Sequence, residues 1–278
     1  MARTNVQVST DVGGWISIAL ALLLVAGCAA VPTVPAAARA ELAPMGKLRV
    51  GLILSNQVLV TKDPSTGELR GVTVNLGKAL AQRLGVPFEP VGYANPAALV
   101  KSFGANEWDI AFLAFDPARA QQVDFSPPYM EVDNTYLVTA QSKVGTVELA
   151  DQPGVTIAVP ERSAPDLFLS RNLKSAKVMR VPGGADAAIE ALKSGKADAY
   201  AENAHMLSLY ADRLPGARVL EGRYTVIQHA VATPKGKMAA SEYMKTFVEE
   251  AKSDGTVAEA IRAAGLRRTR VAPPSQAK

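Results

Sequence analysis

Apolar residues along this chain fall into two kinds of segment, continuous runs and stripes with helical spacing, which alternate from residue 48 onward. The first run, at 48–54, reads LRVGLIL and predicts a buried strand. The next segment, at 72–85, reads VTVNLGKALAQRLG and predicts a helix, because leucines recur every four residues from Leu76. Continuous apolar strands separated by helices are typical of parallel sheets that are covered on both faces.

The same alternation predicts further elements in the rest of this unit and in a second, similar unit. Further strands are expected at 88–93, 108–115, 155–160, 177–181, 197–202, 217–220 and 224–236. Further helices are expected at 96–104, 164–173, 184–195, 203–214, 237–255 and 257–266. Asp-Pro and Thr-Gly within 62–71 predict a small hairpin.

Two α/β units of this kind predict two lobes with a cleft between them. Segments 97–111 and 187–200 both read helix, small-residue turn, aspartate and apolar strand, which is a weak internal repeat. The apolar faces of the last two predicted helices need a sheet to cover, and the first lobe offers one. The chain is therefore expected to cross between the lobes twice and to form a two-strand hinge. The crossings are predicted near 131–135 and near 226–229.

These crossings divide the chain into predicted segments. The first lobe is expected to comprise residues 47–132 and 228–270, the second lobe residues 133–227, and a flexible tail residues 271–278.

The N-terminal residues predict a segment outside the fold. The apolar stretch WISIALALLLVA, at 15–26, suits a signal peptide over residues 1–27 and falls short of the roughly 20 residues of a spanning helix. It runs into VAGC, which resembles the lipobox of bacterial lipoproteins, with Cys28 as the acylated residue. The alternative is an ordinary secretory peptide cleaved later. Residues 28–46 are rich in alanine and proline and predict a semi-extended, lipidated tether.

The candidate chemistry begins where the strand at 108–115 ends. Asp116 is a good N-cap and Pro117 a good first helical residue, so a short helix is predicted there. Ligands of open α/β sheets bind beyond the carboxyl ends of the strands, and Arg119 brings a planar fork of donors that suits a carboxylate. The alternative is that Arg119 pairs with Asp124 and only ties down the loop.

Composition excludes several other classes of function. The net charge is +4, and the one basic cluster, at 267–270, has no interleaved aromatic residues, so no nucleic-acid partner is expected. The single cysteine excludes an intramolecular disulfide. The only histidines, His205 and His229, lie far apart in the sequence, so no metal site is expected, and no cofactor is expected either. The chain also lacks a nucleophile elbow, so it is not expected to be an enzyme.

Several segments, taken in order, resemble the bacterial extracellular solute-binding proteins of family 3. They are Gly51, GELRGVTVNLGKALAQRLG, WDIAFLAFDPARAQQVDFSPPY, GVTIAVPERSAPDLFL and KADAYAE, and the similarity covers about 48–266. The resemblance implies a two-lobed periplasmic-binding-protein fold of type II that receives an amino acid or related small polar solute for an ABC permease. It also implies a periplasmic, membrane-anchored monomer.

The resemblance assigns roles to residues of the predicted cleft. It implies that Arg119 grips the ligand's α-carboxylate and that Ser163, at a helix start of the second lobe, meets the same group. Asn203 matches a position where amino-acid receptors usually carry an aspartate for the α-ammonium, and Asn56 lies in the loop that commonly lines the side-chain pocket. His229, at the second crossing, could also reach the cleft.

The chain departs from the family pattern in ways that leave the ligand open. Asn203 is neutral with Glu202 beside it, and the loop around Asn56 lacks an aromatic residue. The run before Arg119 also lacks the usual hydroxyl residues. These differences favour a small carboxylate other than a common L-amino acid. Alternatives are a dehydratase on the same fold, with Glu202 or Asp116 as general acid, and a sensor lipoprotein without a permease.

Overall fold

The structure of the protein is a computed structural model, and the chain divides into two compact units, Met1–Thr33 and Val34–Lys278. The described residues are 1–7, 33–182 and 184–275. Residues 1–7 form neither helix nor strand. The apolar stretch of the predicted signal peptide and Cys28 lie outside the described residues. Among the helices of the described residues, none has both the length and the apolarity needed to cross a membrane.

Among the described residues, the helices and strands all lie in the second unit. The helices are α1 (Ala36–Leu42), α2 (Val72–Leu84), α3 (Pro96–Lys101), α4 (Pro117–Ala120), α5 (Ala164–Asn172), α6 (Gly184–Lys193), α7 (Ala204–Ala211), α8 (Met238–Ser253) and α9 (Thr256–Ala263). The strands are β1 (Leu48–Ile53), β2 (Thr61–Lys62), β3 (Leu69–Arg70), β4 (Phe88–Tyr93), β5 (Ile110–Ala114), β6 (Val123–Phe125), β7 (Met130–Val138), β8 (Thr156–Pro160), β9 (Lys177–Val181), β10 (Ala199–Asn203), β11 (Arg218–Val219), β12 (Thr225–Pro234) and β13 (Thr269–Val271).

The strands form one large sheet with two similar ends. Its main order is β4-β1-β5-β12-β7-β10-β8-β9, and β2 and β3 form the separate predicted hairpin. Strands β4, β1 and β5 are parallel, as are β10, β8 and β9, whereas β12 and β7 run antiparallel to each other and to their outer neighbours. We call the β4-β1-β5 end with its helices and loops the first lobe and the β10-β8-β9 end with its helices and loops the second lobe. The predicted two-lobed α/β architecture is confirmed, with the difference that β7 and β12 join the two predicted sheets into one.

The two long strands change partners in their middle. Strand β7 pairs with β12 up to Asn134 and with β10 from Asn134 onward. Strand β12 pairs with β7 up to His229 and with β5 from His229 onward. Both residues fall within the predicted crossings. The backbone therefore passes between the lobes along the two strands of one antiparallel ladder, with Asn134 at one end of the ladder and His229 at the other.

The internal repeat corresponds to equivalent parts of the two lobes. Segment 97–111 contains most of α3 and the start of β5, and segment 187–200 contains most of α6 and the start of β10. Strand β5 pairs with the first strand of its lobe, β1, and β10 pairs in the same way with β8. Each repeat therefore supplies the helix before the third strand and the beginning of that strand.

The N-terminal boundary of the fold differs from the prediction. The segment 28–46 was expected to be a semi-extended tether, but α1 forms within it and buries Ala38 and Leu42. The Arg39 Nε donates to the carbonyl of Leu84 at 2.8 Å, and the Glu41 carboxylate accepts from the N–H of Ala240 at 2.9 Å. The prediction is therefore wrong for α1. A seven-residue helix is marginal alone, and these contacts with α2 and α8 support it.

The C-terminal boundary also differs. Residues 271–278 were predicted to be a flexible tail, but β13 pairs with β7 through Val271, and Ala272 is buried. The Lys252 ammonium donates to the carbonyl of Pro273 at 2.8 Å, and the Ser275 hydroxyl donates to Glu249 at 2.7 Å. The prediction is wrong for residues 271–275. Hydrogen bonds with strand β7 and helix α8 hold this short segment in place.

Gly71 fixes the start of α2 against the loop that follows β1. Its φ is +124°, and a Cβ there would lie 2.6 Å from the carbonyl oxygen of Leu59. The same oxygen accepts the Thr73 hydroxyl at 2.9 Å and the Thr73 N–H at 3.2 Å. Only glycine combines this backbone conformation with so close an approach.

We expect Gly71→Ala to lower the free energy of unfolding by about 1–3 kcal/mol for the backbone strain alone, with a further loss from the contact with Leu59. Urea unfolding measures it. The control is Gly104→Ala, at φ +82° with nothing within 4 Å of the added carbon, which should cost about 1–2 kcal/mol. Equal losses in the two variants would contradict the role of the Leu59 contact.

Candidate functional site

A pocket lies between the two lobes, with a volume of about 730 Å³ including its open mouth. The first lobe contributes Ile53, Ser55, Asn56, Leu59, Pro96, Ala114 and Arg119. The second lobe contributes Pro160, Ser163, Ala164, Pro165, Gly184, Ala185, Tyr200, Glu202, Asn203, Met206 and Tyr210. The crossing strands contribute Asn134, Ile227 and His229. A mostly apolar pocket of this size with a few polar groups suits a small-molecule ligand.

Most of the predicted site residues meet in this pocket. Arg119, Ser163, Asn203, Asn56 and His229 all line it. They come from distant parts of the chain and converge because each follows a strand end or a strand crossing.

Asp116 is placed elsewhere. It lines a neighbouring groove together with Phe115 and Arg171. Its carboxylate caps α4 by accepting from the N–H of Ala118 at 2.9 Å, as predicted from the sequence. The Asp116 carboxylate therefore occupies the start of α4 and does not line the pocket.

Arg119 presents an unpaired donor in the pocket. The side chain is only 4% exposed. One terminal nitrogen donates to the carbonyl of Ala114 and the other to the carbonyl of Arg162, each at 2.9 Å. Within the described residues, the buried Nε has no hydrogen-bond partner. A buried donor without a partner costs free energy, so the site favours a ligand that offers a hydrogen-bond acceptor.

Among the residues that the structure describes, no carboxylate forms an ion pair with Arg119. Asp124, the alternative partner considered from the sequence, pairs instead with Lys235 at 2.5 Å. The pKa of Arg119 is lowered to about 10, chiefly by burial; the charge of Asp116 opposes this shift, and the charge of Arg171 adds to it. The guanidinium remains protonated at neutral pH, so an anion in the pocket would offset its loss of hydration.

His229 contributes a neutral ring beside this charge. The side chain is buried, and among the described residues its Nδ1 has no hydrogen-bond partner. Burial, followed by the charge of Arg119, lowers the pKa of His229 to about 3. A neutral imidazole can donate or accept one hydrogen bond without adding charge to the pocket.

The second lobe faces Arg119 with the start of α5. The Ser163 hydroxyl caps this helix by accepting from the N–H of Asp166 at 3.3 Å. The preceding residue, Arg162, has a φ of +57°, and its N–H donates to the Asp166 carboxylate at 2.9 Å. This turn directs the Arg162 carbonyl towards Arg119 and so connects the two lobes directly.

Asn203 is engaged within the protein. Its Oδ1 accepts from the N–H of Met206 at 2.9 Å and caps α7, and its Nδ2 donates to the Glu202 carboxylate at 3.0 Å. The same Glu202 oxygen also accepts the backbone N–H of Asn203 at 2.9 Å. Burial raises the pKa of Glu202, and the two hydrogen bonds from Asn203 offset part of that effect.

The aromatic residues of the pocket come from the second lobe. Tyr200 and Tyr210 stack at a ring-centroid distance of 5.9 Å and line the pocket with Glu202. The loop after β1 supplies no aromatic ring, as its sequence indicated, and Asn56 accepts the N–H of Val58 at 3.1 Å within that loop. Sequence reasoning did not place the tyrosines at the site, since an aromatic in a strand or helix predicts core packing equally well.

A second direct contact between the lobes was not foreseen. Arg171 of α5 donates to the Asp116 carboxylate at 2.7 Å. Burial alone would raise the pKa of Asp116, but the hydrogen bond from Arg171 and the N–H of Ala118 lower it overall. No sequence signal marks this pair, because Arg171 appears only as a polar position of a helix.

The described chain is similar to known proteins along nearly its whole length. Residues 48–263 match the bacterial extracellular solute-binding proteins, family 3. The chain belongs to this family. Its role is therefore to bind a solute, in the periplasm or outside the cell.

Individual relatives include receptors and one enzyme. The chain is 25% identical to the ABC transporter glutamine-binding protein of Bacillus subtilis over 75% of this chain and 77% of the relative. It is 30% identical to the cyclohexadienyl dehydratase of Pseudomonas aeruginosa, over 48% of this chain and 50% of the enzyme. The crystal structure of an ancestral amino acid-binding protein, a precursor of cyclohexadienyl dehydratase, superposes with a TM-score of 0.68 at 26% identity, over 81% of this chain and 97% of that one.

We expect Arg171→Gln to weaken binding of a solute by about 1.4- to fivefold, since a half-exposed ion pair contributes about 0.2–1 kcal/mol. The pair bridges the two lobes, so separating the lobes would break it, and its loss should raise the population of an open form. Titration calorimetry measures the affinity and small-angle scattering the closure. As a control, Arg262→Gln removes an exposed pair within α9 at 2.5 Å and should change neither quantity.

The pH dependence of this contact follows from the sign of the Asp116 shift. A lowered pKa means that the pair stabilises closure above the ordinary carboxyl range and is lost as the pH falls through the pKa of Asp116 in the folded protein. Wild-type affinity should therefore fall more steeply with acidification than that of Arg171→Gln. Parallel pH profiles would contradict this assignment.

Proposed function

We propose that the protein is the substrate-binding component of an ABC importer and captures a small solute with a carboxylate, such as an amino acid, between its lobes. The observation that carries the proposal is Arg119, a buried guanidinium that lines the pocket and whose Nε has no hydrogen-bond partner among the described residues. A carboxylate suits this position because it pairs charge with charge and accepts in the plane of the guanidinium. His229 and Ser163 add neutral polar groups to the same pocket.

Closure of the lobes supplies the coupling to transport. Arg119 reaches the Arg162 carbonyl, and Asp116 reaches Arg171, only when the lobes lie together. A ligand held by residues of both lobes binds the closed form more tightly than the open form and shifts the population towards it. A permease that recognises the closed form would then distinguish the loaded receptor from the empty one.

A second candidate is a dehydratase, favoured by Glu202. Burial raises the pKa of this carboxyl in the pocket, as a general acid requires, and one relative is a dehydratase. Incubation with cyclohexadienyl carboxylates, followed by detection of aromatic products, tests this function. Turnover that disappears in Glu202→Gln would establish the enzyme in place of the receptor.

Attachment to a membrane is proposed from the residues before the fold. The VAGC segment with Cys28 follows an apolar run of signal-peptide length, and the family is extracellular. Acyl chains on Cys28 would hold the receptor close to its permease.

We expect Arg119→Ala to weaken binding of the solute by about 2–5 kcal/mol, the range for truncating one partner of a buried charge pair. The melting temperature without ligand should change little, because the variant also removes a buried charge. Screening amino acids and small carboxylates by thermal shift identifies the solute, and calorimetry gives the loss. Arg119→Lys should recover only part of the affinity, since an ammonium cannot make two parallel bonds to a carboxylate. A destabilised Arg119→Ala protein with wild-type affinity would contradict the proposal.

We expect Cys28→Ala to abolish membrane attachment and leave the protein soluble or as an uncleaved precursor. Mass spectrometry of the native N-terminus should show an acylated Cys28 in the wild type. An unmodified mature chain that starts at Glu41 would contradict lipidation.

A further inference from the structure

Residues 267–271, which we call the strap, extend the fold beyond the part of the chain that matches the family. The match covers residues 48–263, and the strap follows it as β13 and the turn before β13. Helix α9, which precedes the strap, packs against α2 in the first lobe. Behind the strap, Lys252 of α8 donates to the carbonyl of Pro273. The strap is therefore anchored in the first lobe at both of its ends.

Between these anchors, the strap reaches the second lobe. The N–H of Arg267 donates to Nδ1 of His205, in α7, at 3.3 Å. Burial, followed by the charge of Arg267, lowers the pKa of His205, so the ring is neutral at neutral pH and Nδ1 can accept. The Arg268 guanidinium donates to the carbonyl of Gly222, in the loop from β11 to β12. Leu220 of the same loop packs in the core of the second lobe.

Strand pairing places the strap at the crossing between the lobes. Asn134 of β7 pairs with both β12 and β10, and Val132 pairs with both β12 and β13. Strands β13 and β10 therefore lie end to end along the edge of β7 that faces away from β12. One of them comes from the first lobe and the other from the second. A rotation of the lobes about the crossing would thus move the strap relative to α7.

The carboxylate of Asp133 connects the strap to the second lobe through charge. One of its oxygens lies 2.9 Å from Arg270 of the strap and 3.4 Å from Arg223, which follows Gly222 in the loop of the second lobe. Its other oxygen lies 3.7 Å from Arg268. Burial alone would raise the pKa of Asp133, but the hydrogen bond from Arg270 and the charges of the three arginines lower it overall. The carboxylate therefore stays charged at neutral pH and attracts cations from both sides of the crossing.

The backbone of the strap is held in an unusual conformation. Arg268 has a φ of +52°, in the left-handed region that residues with a side chain rarely adopt. Its carbonyl accepts the N–H of Asp133 at 3.1 Å. Strain of this kind persists where surrounding contacts hold it in place. The contact with β7 thus keeps the strap in a turn from which the Arg268 side chain reaches the second lobe.

We propose that the strap is a conformational device that favours the closed arrangement of the lobes before any solute is bound. Its bonds to His205 and Gly222 span the crossing in addition to β7 and β12, and opening of the cleft would break them. Residues 267–271, all of which the structure describes, do not line the pocket. The strap therefore changes the balance between open and closed forms without changing the groups that meet a ligand.

The test measures the opening of the cleft in the absence of a ligand. Spin labels are attached to Lys101→Cys in α3 of the first lobe and to Glu190→Cys in α6 of the second lobe, both at exposed positions. The full-length chain also carries Cys28→Ala, so that no other thiol is labelled. Pulsed electron paramagnetic resonance then gives the distribution of distances between the two lobes.

The variant that releases the strap combines His205→Phe with Arg268→Asn. Phenylalanine keeps a ring but offers no acceptor, and asparagine tolerates the left-handed conformation but is too short to reach Gly222. We expect the ratio of open to closed molecules to rise by about two- to tenfold, since exposed bonds of this kind are individually weak. The matched control is Ser275→Ala, which removes a bond from the same terminal segment to Glu249 of α8 in the first lobe. Its distances should equal those of wild type.

The possible outcomes are distinguishable. Unchanged or shorter distances in the double variant would overturn the proposal, and so would an equal shift in Ser275→Ala. Thermal melting separates opening from unfolding, because the double variant should open at temperatures well below its melting transition. If the double variant does not fold, His205→Phe and Arg268→Asn are measured singly, and each should shift the distances in the same direction by a smaller amount. No solute enters the measurement, so its result is independent of the proposed function.

Discussion

The antiparallel pairing of β7 with β12 is the interaction on which the rest of this structure depends. Each strand belongs to both lobes, and each changes its partner at one residue, Asn134 or His229. Both of those residues also line the pocket. Because the ladder continues through the crossing, the lobes can rotate about it while the ends of their parallel strands keep facing the same space. The position of the pocket is thus a consequence of strand pairing.

The pocket combines two buried charges that the protein does not pair with each other. Arg119 bonds two carbonyl groups and Glu202 bonds Asn203, so each is oriented by neutral neighbours. A desolvated charge that bonds only neutral partners would be stabilised by a ligand group of opposite charge, so the pocket should be less favourable empty than loaded.

Local patterns were enough to predict most elements. Strand β1 and helix α2 were clear because an apolar run and a leucine stripe carry their own signal, and Asp116, Pro117 and Ser163 mark helix starts by chemistry that acts over a few residues. Helix α1 and strand β13 were missed because their stability depends on residues far along the chain.

Prediction of the site had the same limit. The sequence placed Asn203 and Glu202 side by side, but it did not show that the Asn203 amide is taken up by the first turn of α7 and by the Glu202 carboxylate. The pairing of Asp116 with Arg171 depends on the closed arrangement of two lobes, which no local pattern encodes.

The C-terminal strand has a consequence for the order in which the protein can be completed. Strand β13 pairs with the first half of β7, and its Arg270 bonds both Glu131 and Asp133 there, at 3.0 and 2.9 Å. In the described chain, a strand that follows all the other strands therefore flanks the crossing between the lobes. Each lobe can gather its parallel strands earlier during synthesis, but β7 obtains this neighbour only after residue 271 has been made. A nascent chain would hold two partly formed lobes on an unfinished joint, and a premature stop before residue 269 would leave that joint permanently open at one edge.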